Sequence, residues 1–174
     1  MKAQLVCICL AMLVCGSAGN AQETQPQAGQ ATSEIKSLSA TEIQGYLEGR
    51  EMGLAKAAEL NGYPDPAHVL ELETQLQLTP HQRAKAEHLK RSMKVAARLG
   101  HWLVEAERRL NLVFAKGEAD DEKITALVRQ IGGLEAEIRL VHLRADIEMR
   151  RVLTADQIKK IRPRARLWRR PMNA

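Results

Sequence analysis

The chain has 174 residues, a formal net charge of +5 at pH 7, 45% hydrophobic residues and 27% charged residues. These values are typical of one globular domain with short extensions. Only 3% of the residues are aromatic, and helix-forming aliphatic and charged residues dominate, which argues against a sheet-rich class. The composition therefore predicts an all-α protein.

Residues 1–21 have the pattern of a secretory signal peptide. Lys2 is their only charged residue, and an apolar run extends from Leu5 to Val14 before a series of small residues. This run is shorter than the roughly 20 residues that span a bilayer. We therefore predict export followed by cleavage.

The three cysteines, Cys7, Cys9 and Cys15, all lie within this predicted signal peptide. The exported chain would have no thiol, which excludes disulfides, cysteine-bound metals and cysteine nucleophiles. Its core or an oligomeric interface must then hold it together in an oxidising compartment.

The remainder divides into three parts. Residues 22–37 are rich in Gln, Thr, Ser and Ala with little to bury, which predicts a flexible leader. A helical domain is predicted over residues 38–162, and residues 163–174 form a basic tail.

The domain opens with signals for two helices. Ser39 and Glu42 have the spacing of a capping box, so the first helix is predicted to start there and to run to about Leu60. A proline-containing turn at residues 63–66 separates it from a second helix over residues 67–76.

Two five-residue stretches repeat one pattern, LTPHQ at residues 78–82 and LTADQ at residues 153–157. In the first copy, Thr79 can cap a helix, Pro80 suits its first position and Gln82 can bond back to the cap. The second copy offers the same roles, and we interpret both copies as helix starts. The capping motif consists of Leu78, Thr79, Gln82, Leu153, Thr154 and Gln157.

Two long periodic segments lie between these helix starts and predict an antiparallel helical hairpin, because the connection near residues 117–120 is short. The first apolar stripe consists of Leu89, Ala96, Leu99, Leu103, Ala106, Leu110 and Phe114. The second consists of Ile124, Leu127, Ile131, Leu134, Ile138, Val141, Ala145, Met149 and Val152.

The second long helix carries a further apolar stripe on its opposite face, formed by Ala136, Leu140, Leu143 and Ile147. One stripe would suffice for the hairpin. The second stripe therefore predicts a cover, either the short helices or another subunit. A homodimer is the simpler expectation.

Two LTxxQ motifs that bracket a long hairpin in an exported chain resemble the periplasmic Spy/CpxP family and the related heavy-metal resistance and sensor proteins of the ZraP and CnrX type. The resemblance covers about residues 41–161. Residues 48–72 also resemble the lead-in of the metal-sensor branch. The family resemblance implies a periplasmic, non-catalytic protein. Its fold would be a hooked four-helix hairpin, with two long antiparallel helices flanked by short ones, and two copies would form a dimeric cradle. Such proteins bind unfolding clients or a metal.

Candidate metal ligands are His142, Asp146 and Met149 on the second long helix, with His68 and Glu71 on the short second helix. This set suits a divalent metal such as Zn, Ni, Co or Cu. The chain departs from the nickel and cobalt sensors because it has no close His pair before the second helix and no His-x-x-x-Met. The alternative is that His142 is a histidine at the edge of the core, bonded to a neighbouring carboxylate.

A basic face on the first long helix is the candidate client-binding surface. Unfolding clients would bind such a face weakly if it also carried apolar patches. The alternative is an ordinary solvated face with i to i+4 ion pairs. The face consists of Arg83, Lys90, Arg91, Lys94 and Arg98.

The tail combines several arginines with Trp168. It could contact an anionic membrane surface, contact an acidic client or remain disordered. Nucleic acid is excluded as a partner for an exported chain with so few stacking aromatics.

Motifs typical of enzymes, such as HExxH, GxSxG and the P-loop, are absent from the sequence, which predicts no enzymatic activity. The first functional hypothesis is a chaperone-like envelope-stress protein that holds unfolding clients. The second is a heavy-metal sensor or resistance protein with a site at His142. The third is an adaptor that docks an inner-membrane signalling protein.

Overall fold

A computed structural model describes residues 34–165 of the chain, with side chains up to Ile161. The predicted signal peptide, most of the leader and the end of the basic tail lie outside these residues. All regular structure within them is helical, which confirms the all-α class. The helices are α1 (Ala40–Glu48), α2 (Lys56–Leu60), α3 (Pro66–Glu71), α4 (Glu73–Leu76), α5 (Pro80–Ser92), α6 (Lys94–Ala115), α7 (Asp121–Val152) and α8 (Ala155–Ala165).

The two longest helices, α6 and α7, pack against each other and run in opposite directions, because residues 116–120 connect them directly. Gly117 ends α6 in the left-handed region with φ of 68°. Asp120 then caps α7, since its Oδ1 accepts from the backbone N–H of Lys123 at 2.8 Å. The short helices α1, α2 and α3 lie against this pair.

The predicted first helix is interrupted after Glu48 and resumes as α2, which ends at Leu60 as predicted. Gly49 terminates α1 in the left-handed region with φ of 67°, and its N–H bonds back to the carbonyls of the last turn. A Cβ at Gly49 would also lie 2.6 Å from the backbone nitrogen of Ala97, so only glycine allows this approach. The predicted second helix is likewise broken at Leu72, and the first long helix at Met93.

The predicted leader ends earlier than expected. Ile35 is buried in the core, and the hydroxyl of Ser37 donates to Oε2 of Glu107 at 2.6 Å. The carbonyl of Glu34 accepts from Asn111. Residues 34–37 therefore belong to the folded domain, because an isoleucine with an apolar surface beside it gains more from burial than from hydration.

The core consists of two separate apolar clusters placed one after the other along α7. The cluster near α8 contains Val69, Leu72, Leu76, Ala86, Leu89, Met149, Leu153 and Ile161. The cluster near α1 contains Ile35, Leu38, Ala96, Leu103, Val104 and Ile138. The stretch of α7 between Ile138 and Met149 thus separates the two clusters.

The further stripe on α7 is only partly covered. Leu140 and Ile147 are 37% and 41% exposed, so the short helices do not cover this face. Phe114, at the end of the first predicted stripe, is exposed as well. It lies in the last turn of α6, next to the α6–α7 connection.

The predicted role of the two capping motifs as helix starts is confirmed. Thr79 accepts from the N–H of Gln82 at 3.2 Å, and Oε1 of Gln82 accepts from the N–H of Thr79 at 3.0 Å. Thr154 and Gln157 make the same two bonds at 3.3 and 2.9 Å. Each motif is a capping box that starts a helix.

The two glutamines also bond directly to each other, which local pattern alone does not predict. Nε2 of Gln82 donates to Oε1 of Gln157 at 2.9 Å, and Nε2 of Gln157 donates to Oε1 of Gln82 at 3.1 Å. Each Nε2 also donates to a helix-end carbonyl, that of Val152 or that of Leu76. Both buried amides thereby satisfy all their donors and acceptors.

A close contact between α1 and α6 depends on Gly100. A Cβ at this position would lie 2.0 Å from the carbonyl oxygen of Tyr46. We expect Gly100→Ala to lower the free energy of unfolding by about 1–3 kcal/mol, because α1 must move away. Denaturant unfolding would measure this loss. The control is Gly132→Ala on α7, where nothing lies within 4 Å and where we expect a gain of about 0.5–1 kcal/mol.

Candidate functional site

A buried polar pair lies on α7 between the two apolar clusters. His142 is 1% exposed and Asp146 is 0% exposed, one helical turn apart. Neither ring nitrogen of His142 and neither carboxylate oxygen of Asp146 makes a hydrogen bond within the part of the chain that the structure describes. Four unsatisfied buried polar atoms on two adjacent side chains are unusual in a folded protein and call for an explanation.

Three carboxylates act electrostatically on this pair, and all lie on the segment between α1 and α3. Glu51 accepts from the N–H of Gly53 at 2.7 Å. Asp65 caps α3 by accepting from the N–H of Ala67 at 2.6 Å. Glu59, Asp65 and Glu51 all raise the pKa of Asp146. The pair is therefore placed in a region of negative potential.

Burial and this potential change the protonation of both groups. Burial, then the charges of Asp65, Glu59 and Glu51, raise the pKa of Asp146 to about 9. The carboxyl group is therefore protonated at neutral pH. Burial lowers the pKa of His142, although Asp65 and Glu51 oppose this effect, so its imidazole is neutral at pH 7.

The structure brings together three of the five predicted ligands. Met149 is buried one turn beyond Asp146 on the same face of α7. Nδ1 of His68 instead pairs with Oε1 of Glu59 at 2.7 Å. Burial lowers the pKa of His68, but the hydrogen bond to Glu59 and nearby carboxylates outweigh it, so the pKa is raised.

The fifth predicted ligand, Glu71, is exposed on α3. Among the described residues, no group of three His, Cys, Asp or Glu side chains is arranged to hold a metal ion. The predicted five-residue set is therefore not assembled in this conformation. The neighbouring carboxylates, Glu51, Glu59 and Asp65, were missed because they precede α3 in a segment predicted to be mainly helix; only the Asp-Pro start at Asp65 had a sequence signal.

The alternative interpretation of His142, a core-edge histidine bonded to a carboxylate, does not describe its surroundings. Its nearest acidic neighbour on the helix is Asp146, yet no hydrogen bond joins any of their polar atoms. The histidine is fully buried rather than at the edge of the core.

The basic face on α5 and α6 combines paired and solvated charges. Arg83 lies 3.3 Å from Glu73 and 3.2 Å from Glu87, which supports the alternative of a solvated face with ion pairs. Lys94 and Arg98 are exposed on α6. Val95, which lies between them, is exposed, and Trp102, one turn after Arg98, is 60% exposed. Apolar side chains are therefore mixed with the basic ones.

No helix among residues 34–165 is both long and apolar enough to cross a membrane. The chain matches no protein-family model, no curated protein and no solved structure.

The protonation of Asp146 generates a prediction for the pH dependence of stability. Its folded pKa of about 9 exceeds its ordinary value of 3.8, so the folded state keeps a proton that the unfolded state releases. The free energy of unfolding must then fall as pH rises between these values, by up to about 1.4 kcal/mol per pH unit. His142, with a lowered pKa, acts in the opposite direction only below its ordinary value of 6.5.

Between pH 6.5 and about 9 the decrease comes from Asp146 together with His68, whose raised pKa acts in the same direction. We expect denaturant unfolding in chelator to show this decrease in the native protein and a clearly smaller decrease in Asp146→Asn, with only the share of His68 left. The control is Asp156→Asn, an exposed change on α8 that should leave the slope intact. Equal slopes in the native protein and Asp146→Asn would contradict a buried, protonated Asp146.

Proposed function

We propose that this protein is a non-catalytic, exported metal-binding stress protein of the Spy/CpxP and metal-sensor type, with its site at His142 and Asp146. The observation that carries the proposal is the buried pair, whose four polar atoms make no hydrogen bond to any residue that the structure describes. Burial of such groups without partners destabilises a protein by about 1–3 kcal/mol for each group. A bound cation would satisfy one ring nitrogen of His142 and the carboxylate of Asp146, while the remaining ring N–H would need an acceptor such as water.

The donor set fits a borderline divalent metal. A neutral imidazole nitrogen and a carboxylate oxygen are ordinary ligands of zinc, nickel and cobalt. Met149 offers a thioether on the same buried face. Further ligands would be water or, after a movement of their segment, the carboxylates of Glu51, Glu59 and Asp65, because no third His, Cys, Asp or Glu among the described residues is arranged with the pair to hold a metal. Because Asp146 is protonated without metal, binding must release a proton and strengthen as pH rises.

The sequence pattern supports the same class of protein. Two capping motifs bracket the long helices, a predicted signal peptide precedes them, and enzyme motifs are absent. These features resemble periplasmic proteins that act by binding alone. A hooked arrangement of the hairpin with its short helices, as that resemblance implies, would place the metal site between the hairpin and the hook.

Calorimetric titration with zinc, nickel, cobalt and copper tests the metal site. We expect at least one metal to bind with a dissociation constant of about 1 µM or tighter, and His142→Ala to weaken it by about tenfold or more. At a metal concentration of about 100 times that constant, the free energy of unfolding should rise by about 2.7 kcal/mol.

The matched control is His88→Ala, because His88 is an exposed histidine on α5 and should not affect the affinity. A chain that binds none of the four metals, or His142→Ala with unchanged affinity, would refute the metal site.

Client binding is the second candidate function, and the exposure of Trp102 favours it. This indole and Val95 are exposed on α6, beside the exposed Lys94 and Arg98. Exposed aromatics next to arginine are typical of protein-binding surfaces. An unfolding client could contact the apolar groups while the charges keep the complex weak and reversible.

An aggregation assay on a denatured client tests this function. We expect Trp102→Asp to require about tenfold more protein for the same delay, the loss of an anchor worth about 1.4 kcal/mol. Val128→Asp on α7, which also replaces an exposed apolar residue, is the control and should have little effect. A native protein that never delays aggregation would rule out client binding.

A homodimer through the exposed stripe on α7 is part of the proposal. Leu140 and Ile147 remain exposed within a single chain, and a second copy would cover them. We expect sedimentation to show a dimer in the micromolar range and Ile147→Asp to weaken it by at least about tenfold. Val128→Asp is again the control. A native protein that sediments only as a monomer would contradict this interface, while an adaptor for a membrane signalling protein would then be the remaining use of the stripe.

A further inference from the structure

The positive charge of the chain is concentrated at one end. From residue 150 to residue 174 there are nine Lys and Arg residues and one Asp, a net charge of +8. The rest of the chain then carries +5 minus 8, or −3. The largest excess of positive charge therefore belongs to the end of α7, α8 and the following tail, and the basic face on α5 and α6 is offset by acidic residues elsewhere in the chain.

An open cleft of about 360 Å³ lies at this basic end. The described residues that line it are Asn61, Arg150, Ala155, Ile158 and Lys159, and they provide two cations, one amide and no carboxylate. The nearest ion pair, between Lys159 and Asp156, is long at 3.5 Å and highly exposed. An anion that enters the cleft would meet little competition from the protein's own acids.

Arg150 is held in place from one side. Its Nη1 donates to the carbonyl of Gly62, and its guanidinium lies 4.7 Å from the centre of the Tyr63 ring. The guanidinium has five N–H donors, and only one is used in this bond. A fixed arginine loses less conformational freedom when it binds a second group, and a guanidinium matches the geometry of phosphate oxygens.

We infer that this cleft binds the phosphate of an anionic phospholipid and docks the basic end of the protein on a membrane surface. Arg150 and Lys159 contact the phosphate, and Ile158 contacts the apolar part of the headgroup region. A lipid surface is favoured over free phosphate because the concentration of charge extends beyond the cleft along the chain. A membrane offers many phosphates at once, and each basic residue near it strengthens binding about fivefold.

Co-sedimentation of the full exported protein with vesicles tests the inference. We expect binding to phosphatidylcholine vesicles that contain roughly one-third phosphatidylglycerol, and none to phosphatidylcholine alone. Lys159→Glu, at an exposed position, changes two units of charge and should weaken binding about twenty-five-fold, at about fivefold per unit.

The matched control is Lys116→Glu, which makes the same change of charge in the α6–α7 connection, about 45 Å away along α7. Salt screens charges at this separation, so binding should weaken less than about fivefold. Equal weakening by the two variants would show that overall charge governs binding and would overturn the cleft. No binding to the anionic vesicles, or binding of inorganic phosphate alone, would overturn the lipid assignment. Because neither variant touches the pair on α7, metal titration of the same proteins separates this inference from the proposed function.

Discussion

The reciprocal hydrogen bonds between Gln82 and Gln157 are the constraint on which the arrangement of the helices depends. The two side chains lie seventy-five residues apart in the sequence, yet each bonds the other, its own helix cap and a helix-end carbonyl. A buried amide that lost one of these partners would carry the full penalty of desolvation. The start of α5 is therefore fixed against the start of α8. Because α7 ends directly before α8, the same bonds also hold the end of α7 against α5.

A polar layer lies in the middle of the apolar core. Ile138 belongs to one cluster and Met149 to the other, while the side chains of His142 and Asp146 lie between them without a hydrogen bond to any described residue. Apolar side chains of similar size would be more stable there. The helix caps and the buried glutamine amides have their hydrogen-bond partners, whereas this pair has none among the described residues. Buried polar groups that break such a rule are expected at functional sites.

The three proposed activities use separate surfaces of one scaffold. The pair His142 and Asp146 is buried on α7, Trp102 is exposed on α6, and the basic cleft lies at the start of α8. None of them requires a catalytic group. The carboxylates that act electrostatically on Asp146, those of Asp65, Glu59 and Glu51, all lie on the segment between α1 and α3.

The sequence by itself determined the local features, because each depends on residues within one or two turns. These are the all-α class, the caps at Thr79 and Thr154, and the long helical segments, of which the first is broken at Met93. It also placed His142, Asp146 and Met149 on one face. Only the tertiary structure decided that α1 ends at Gly49, where the backbone of α6 approaches, and that Ile35 belongs to the core. Only the tertiary structure showed that the two glutamines bond each other and that the side chains of the buried pair have no described partner. Both outcomes depend on which distant groups come into contact, and the spacing of residues along the chain does not determine this.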